Sequence, residues 1–176
     1  MRAFVAVDVP ELVPLPGLRP AHAEAPRHFT LRFLGDLEEG TVSEIDRALG
    51  SVAQVAAPFR VSISGIGAFP DWSRPRIVYA EAVEGRRELE ALANAVNGAL
   101  DGLGFAREAR PFVPHVTLLR VRSPAEAARA RALAAAALDR VLSAGPVDAL
   151  LLKESELLPA GARHRAIGTY PLGLPR

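Results

Sequence analysis

Two short stretches of the chain repeat an arrangement of side chains suited to acid–base chemistry. "HFTLRFLG" at residues 28–35 carries His28 and Thr30, and "HVTLLRVR" at 115–122 carries His115 and Thr117, each Thr followed by Leu. The chain holds four His and four Thr, and half of each lie in these stretches. Side chains alternate along a strand, so a His and a Thr two apart point the same way. Each stretch therefore presents an imidazole beside a hydroxyl.

Imidazole titrates at about 6.5, so near neutral pH one of two can be neutral and the other charged. The neutral ring takes a proton from an attacking group, and the charged ring gives one to a leaving group. Thr hydroxyls are modest donors suited to non-bridging phosphate oxygens. The set fits phosphodiester hydrolysis without a metal. It fits peptide hydrolysis poorly, because no Ser–His–Asp order and no oxyanion loop is visible. Two such histidines supply only two nitrogen ligands, no His-x-His or His-Glu-x-x-His pattern adds to them, and there is no cysteine, so a metal site is the weaker reading. A single His-x-Thr on a strand is usually an ordinary core or surface pair. Two copies at matching places of a repeat point to function, with retention of a duplicated strand for folding alone as the competing reading. His22 and His164 read as surface residues.

What must position the two motifs is that repeat. Each half reads strand, connection, His-bearing strand, helix, strand, and the histidines lie 87 residues apart in a chain of 176. Residues 2–9 read as a first strand rather than a signal peptide, because Asp8 breaks the apolar run. The Pro-dense "PELVPLPGLRPAHAEAPR" reads as a loop. In the next strand Phe29, Leu31 and Phe33 alternate toward a core. Thr41 and Glu44 form a capping box for a helix with Val42, Ile45, Leu49 and Val52 along its apolar stripe. Residues 59–69 and 76–83 alternate as strands.

Residues 86–104 predict a second helix, with Leu89, Leu92, Ala93, Val96, Leu100 and Leu103 on one side and Gly104 as its end. Ser123, Pro124 and Glu126 open a third, Ala-rich helix expected to run to about 142. "VDALLLKES" and "RAIGTYPL" read as closing strands. Val9 to His28 spans 19 residues against 32 from Val83 to His115, so the Pro-rich segment stands where the second half keeps a helix. Strand-rich halves with interspersed helices predict an α+β fold with mostly antiparallel sheets.

Composition sets the outer bounds. At 49% hydrophobic and 23% charged residues the chain can bury a core. A net charge of +1 gives no general field toward nucleic acid or membrane. Twenty of the 21 basic residues are Arg, the single exception being Lys153. Arg offers a planar fork suited to phosphate, although genomic base composition accounts for much of this bias. No stretch approaches the ~20 apolar residues that span a bilayer, so a cytoplasmic protein is expected.

"HFTLRFLG" and "PHVTLLR" resemble the two signature motifs of the two-histidine phosphoesterases. The branch most similar is that of the RNA 2′,3′-cyclic phosphodiesterases, also called 2′-5′ RNA ligases. "RAFVAVDVP" resembles the family's opening strand, "RPRIVYAEA" its central strand and "LLKESELLPAGARHRAIGTYPL" its closing hairpin. The resemblance implies one domain over residues 1–176, with two pseudo-symmetric lobes of mostly antiparallel sheet and flanking helices around a central cleft. It implies hydrolysis of an RNA 2′,3′-cyclic phosphate end to a 2′-phosphate, by a monomer without metal or nucleotide cofactor.

By the same resemblance His28 is the proton donor, His115 the proton acceptor, and Thr30 and Thr117 hold the phosphate. Arg120, five residues after His115, matches a family Arg near the phosphate. Strand parity places Arg120 on the opposite face from His115, so it reaches the cleft only if the strand ends or bulges after Leu119. Phe33, Phe69, Trp72 and Phe112 can stack bases at a cleft rim, against the commoner reading of each as core. Sibling activities, 2′-5′ ligation or hydrolysis of small cyclic nucleotides, are the near alternatives. A non-catalytic module that binds RNA ends is the distant one, and it has no need of two titrating groups.

Overall fold

The computed structural model describes residues 1–13, 27–105, 111–137, 140–158 and 161–173. The Pro-rich loop expected between the first two strands lies largely outside the described residues, as does His22. The elements are β1 (Arg2–Asp8), β2 (His28–Asp36), α1 (Val42–Val55), β3 (Phe59–Phe69), β4 (Ile77–Glu84), α2 (Arg86–Asp101), β5 (His115–Arg120), α3 (Pro124–Ala136), β6 (Val141–Val147), β7 (Ala149–Leu158) and β8 (Gly161–Pro171).

They form two four-stranded sheets, β2-β1-β7-β8 and β5-β4-β3-β6, with every pairing antiparallel. The fold is α+β, with two lobes. In each sheet a His-bearing edge strand pairs with the opening strand of its own half, β2 with β1 and β5 with β4. The next strand is exchanged: β7 joins β1, and β3 joins β4. Neither half completes its sheet from its own residues. A hydrophobic cluster takes Val5, Phe29 and Leu150 from one sheet and Val61, Ala80 and Val116 from the other, together with Ile45 and Leu49 of α1 and Leu89 and Val96 of α2.

Three local expectations are corrected. The third helix ends at Ala136, not near 142, and residues 141–147 form β6, which pairs with β3 from Phe59↔Val147 to Ser64↔Val141. Pro146 disguises this strand, but β6 is a sheet edge, where a residue lacking an N–H is tolerated. Thr41 does not cap α1 through its side chain. It closes a 3₁₀ turn over Glu39–Thr41 in helical conformation (φ −81°, ψ −20°), whereas a capping hydroxyl needs an extended backbone. The second helix stops at Asp101; Leu103 packs on the core from the turn that follows, and Gly104 (φ 82°) supplies the left-handed residue.

The cap of α3 forms as expected. Ser123 Oγ accepts from Glu126 N at 3.2 Å, while Glu126 Oε2 accepts from Arg122 N at 2.5 Å.

Candidate active site

β2 begins with His28 opposite Asp8 of β1, and Thr30 sits opposite Ala6. Phe29 and Leu31 are buried between and beyond them, so His28 and Thr30 share the other face, as their spacing predicts. The register then slips: Ala6 faces Thr30 but Val5 faces Arg32, leaving Leu31 as an extra residue. This bulge reverses the parity of Arg32 and Phe33, until a second slip between Phe4 and Ala3 leaves Leu34 extra. Arg32 turns inward and is 1% exposed, while Phe33, expected in the core, is 59% exposed. Arg32 is held by α2 and the turn after it: Nη1 donates to Asn97 O and Oδ1, both at 3.0 Å, and to Asp101 Oδ1 at 3.2 Å, and Nη2 donates to Phe105 O at 2.8 Å.

β5 repeats the device. Glu81 of β4 faces His115 and Tyr79 faces Thr117, but Val78 faces Leu119, so Leu118 is the extra residue. The slip lies one residue earlier than the site required on parity grounds, and it places Arg120 opposite Ile77. Ile77 alternates with the buried Val78 and shares the face of Tyr79. Arg120 thus lies on the face of His115 and Thr117. In both strands the Leu after His-x-Thr is the bulged residue, and the fifth residue past the His returns to the His face: Phe33 in one, Arg120 in the other.

Each imidazole is packed by rings. His115 meets Phe69 and Tyr79 edge-on, with centroids 5.1 and 5.4 Å away, and those two rings stack on each other at 4.2 Å. Phe69 is therefore a neighbour of His115 rather than simple core. Trp72 and Phe112 are half-buried, and Phe112 packs against the core cluster. His115 Nδ1 lies 2.7 Å from the Val113 carbonyl. A carbonyl only accepts, so Nδ1 carries a proton and the neutral ring has its lone pair on Nε2.

His28 lies 4.9 Å from the Phe4 ring and 5.2 Å from the ring of His164, with the two imidazole planes at 89°. His164 was expected on the surface; it is half-buried on β8, opposite Ser155 of β7, and also edges onto Phe4 at 5.0 Å. Sequence spacing offered no signal for it, because only the strand order β2-β1-β7-β8 brings β8 over β1 toward β2.

A carboxylate stands opposite each histidine, and each carboxylate has a cation. Lys153, 2% exposed, donates to Asp8, and Arg86 Nη2 donates to Glu81 at 3.0 Å. Burial pushes the Asp8 carboxyl above its ordinary value, against the pull of the Lys153 ammonium. Tyr79 is also raised, first by burial and then by the neighbouring Glu81 carboxylate.

The two motif strands meet. β2 packs against β5, and Arg27 Nη1, one residue before His28, donates to the Thr117 carbonyl at 2.7 Å. Burial pulls the Arg27 pKa down. Two edge strands from different sheets are thus tied at the level of their His-x-Thr segments. Each of these strands carries an imidazole and a hydroxyl on one face, and Arg120 shares that face of β5. Among the described residues no three His, Asp or Glu are grouped as metal ligands, and no helix is long and apolar enough to cross a membrane.

The sequence model of the 2′-5′ RNA ligase superfamily matches residues 15–154. An RNA 2′,3′-cyclic phosphodiesterase of Aeropyrum pernix is 32% identical over 140 residues, which is 80% of this chain and 78% of that protein. One from Archaeoglobus fulgidus is 39% identical over 133 residues, covering 69% and 73%, and one from Thermus thermophilus is 31% identical over 189 residues, covering 98% and 90%. Among solved structures, TT0787 of Thermus thermophilus aligns over 98% of both chains with a TM-score of 0.73 and 28% identity. Escherichia coli LigT complexed with 3′-AMP aligns over 97% of both with a TM-score of 0.73; at 24% identity this likeness concerns the fold.

Proposed function

Because the chain belongs to the 2′-5′ RNA ligase superfamily, we propose that it hydrolyses RNA 2′,3′-cyclic phosphodiester ends to 2′-phosphomonoesters by two-histidine catalysis, without a metal ion. The activity is that of the relatives, whose identities run from 29% to 39%. The observation that carries the mechanism is the tautomer of His115. Its Nδ1–H is spent on the Val113 carbonyl, so Nε2 is the atom available to take a proton from water. His28 is set differently, its ring lying against those of Phe4 and His164 rather than beside a backbone carbonyl, and the donor role assigned to it follows the family resemblance. His115 is then the base that activates water, and His28 the acid that protonates the departing 3′-oxygen. Thr30, Thr117 and Arg120 donate to the non-bridging oxygens, whose charge grows as water adds.

The reading extends to an RNA end as partner, a cytoplasmic location and a single two-lobed domain acting as a monomer. Its direct test is incubation of the protein, in excess EDTA, with an oligonucleotide ending in a 2′,3′-cyclic phosphate, followed by ³¹P NMR of the product. A 2′-phosphomonoester formed at the rate seen without chelator is expected. Turnover abolished by EDTA and restored by zinc or manganese would replace the histidine base by a metal-bound water. A 3′-phosphomonoester would mean that the 2′-oxygen is the one protonated.

Arg27 fixes the spacing of the two halves of this site. Arg27→Ala removes a hydrogen bond from a charged donor, a contact of about 1.5–3 kcal/mol. If the bond matters mainly for catalytic geometry, kcat should fall by about tenfold or more at saturating substrate, since about 1.4 kcal/mol is a factor of ten. An unchanged kcat would show that the two strands hold their distance without it.

A further inference from the structure

We propose that His164 is a positioning residue for His28, a neutral ring that fixes its orientation and favours its protonated form. This rests on the reading of His28 as proton donor. His164 reaches the site from β8, the far edge of the sheet, and lies on the same face as His28: Ser155, its register partner, lies two residues from Lys153, which is itself opposite Phe4. The rings of His28, Phe4 and His164 touch pairwise, with centroids 4.9, 5.0 and 5.2 Å apart. The imidazole planes stand at 89°, so one ring offers its edge to the face of the other. In that geometry positive charge on the edge ring is attracted by the negative face of a neutral partner.

The charges around the pair decide which ring takes the proton. Facing His28 are Asp8 from β1 and His164 from β8, with Lys153 of β7 engaged by Asp8 and Arg27 preceding it on its own strand. Lys153 is diagonal to His164 on the same face of the sheet, with its ammonium turned to Asp8. Arg163 and Arg165, the chain neighbours of His164, point to the other face, where Glu156 and Glu154 pair with them at 2.5 and 2.6 Å. The carboxylate is thus on the register partner of His28, with the Lys153 ammonium bonded to it. The first proton goes to His28, and His164 stays neutral while His28 is charged.

The test is an NMR titration of the full chain, wild type beside His164→Phe and His164→Ala, with His115 as an internal reference for the fold. Phe keeps a ring with a negative face, and Ala removes it. Expected is a fall of about 0.5 pH unit in the His28 midpoint for His164→Ala, the size of an exposed cation–π contact. The midpoint should be essentially retained in His164→Phe, with that of His115 unmoved in both. Equal His28 midpoints in all three proteins would overturn the inference. So would a rise in both variants, because it would mean that His164 carries the charge. A second arm measures kcat against pH on the cyclic-phosphate oligonucleotide. The basic limb, where the donor loses its proton, should move down in His164→Ala while the acidic limb stays. A loss uniform across pH would overturn a role through His28. The midpoints are read without turnover, so the inference about His164 and the assignment of the substrate succeed or fail separately.

Discussion

His28→Ala and His115→Ala should each lower turnover of a 2′,3′-cyclic phosphate end by at least ~10²-fold, the lower bound for loss of one general acid or base. The reason is stereochemical. Water adds to phosphorus on the side opposite the departing 3′-oxygen, so the proton leaves on one side and is delivered on the other. One imidazole cannot serve both sides in a single step, and the fold supplies one from each sheet, β2 and β5. The double mutant should be little slower than either single, because groups that act as a unit lose their joint contribution when one is removed. Roles are separable with a substrate carrying sulfur at the 3′-bridging position. A thiolate departs with little need of a proton, so this substrate should rescue His28→Ala strongly and His115→Ala hardly at all. The reverse pattern would exchange the roles. Rescue of neither would show that His28 does not supply the leaving-group proton.

The Nδ1 contact of His115 with Val113 explains why the roles should not be interchangeable in a pseudo-symmetric site. The sheets are related in strand order, yet the surroundings of the two rings differ. His115 is wedged against Phe69 and Tyr79, with its tautomer set by a backbone carbonyl. His28 is backed by Phe4 and a second imidazole. A duplicated frame has been given two local environments, and in the proposed mechanism it is these that separate an acid from a base.

The His-x-Thr pairs were legible because they depend only on the alternation of side chains along a strand, a property of the chain itself. The fate of the residues beyond them was not. A bulge is an event of pairing, fixed by how β1 and β4 line up against β2 and β5, and nothing in "HFTLRFLG" or "HVTLLRVR" marks Leu31 or Leu118 as the residue left over. Parity carried past that point put Phe33 in the core and Arg120 on the wrong face. The end of α3 was missed for a related reason. An Ala-rich run defines no apolar stripe, so the sequence reads as helix to about 142, although β3 has already claimed Val141. His164 was hidden by topology, since no spacing rule connects residue 28 to a strand three places away in the sheet.

Arg32 follows from the same bulge and carries the second large effect, on stability. Arg32→Ala should lower the free energy of unfolding by about 3–5 kcal/mol, the cost of breaking a buried pair from one side. The guanidinium is 1% exposed and serves Asp101, the Asn97 side chain and carbonyl, and the Phe105 carbonyl, all around the C-terminal end of α2. Those acceptors lie around the end of the helix where its dipole is negative, so a cation there serves several groups at once. Without it they lose their donor, and a cavity opens between β2 and α2. For a chain of this length the loss corresponds to a fall in Tm on the order of 10 °C, read by calorimetry. Replacing both partners, Arg32→Met with Asp101→Leu, should recover part of the loss, because no carboxylate is then left facing an apolar gap. The single Arg32→Met should stay low. If Arg32→Ala costs less than about 1 kcal/mol, the contacts to α2 are incidental. The bulge that exposes Phe33 would then be held by pairing with β1 alone.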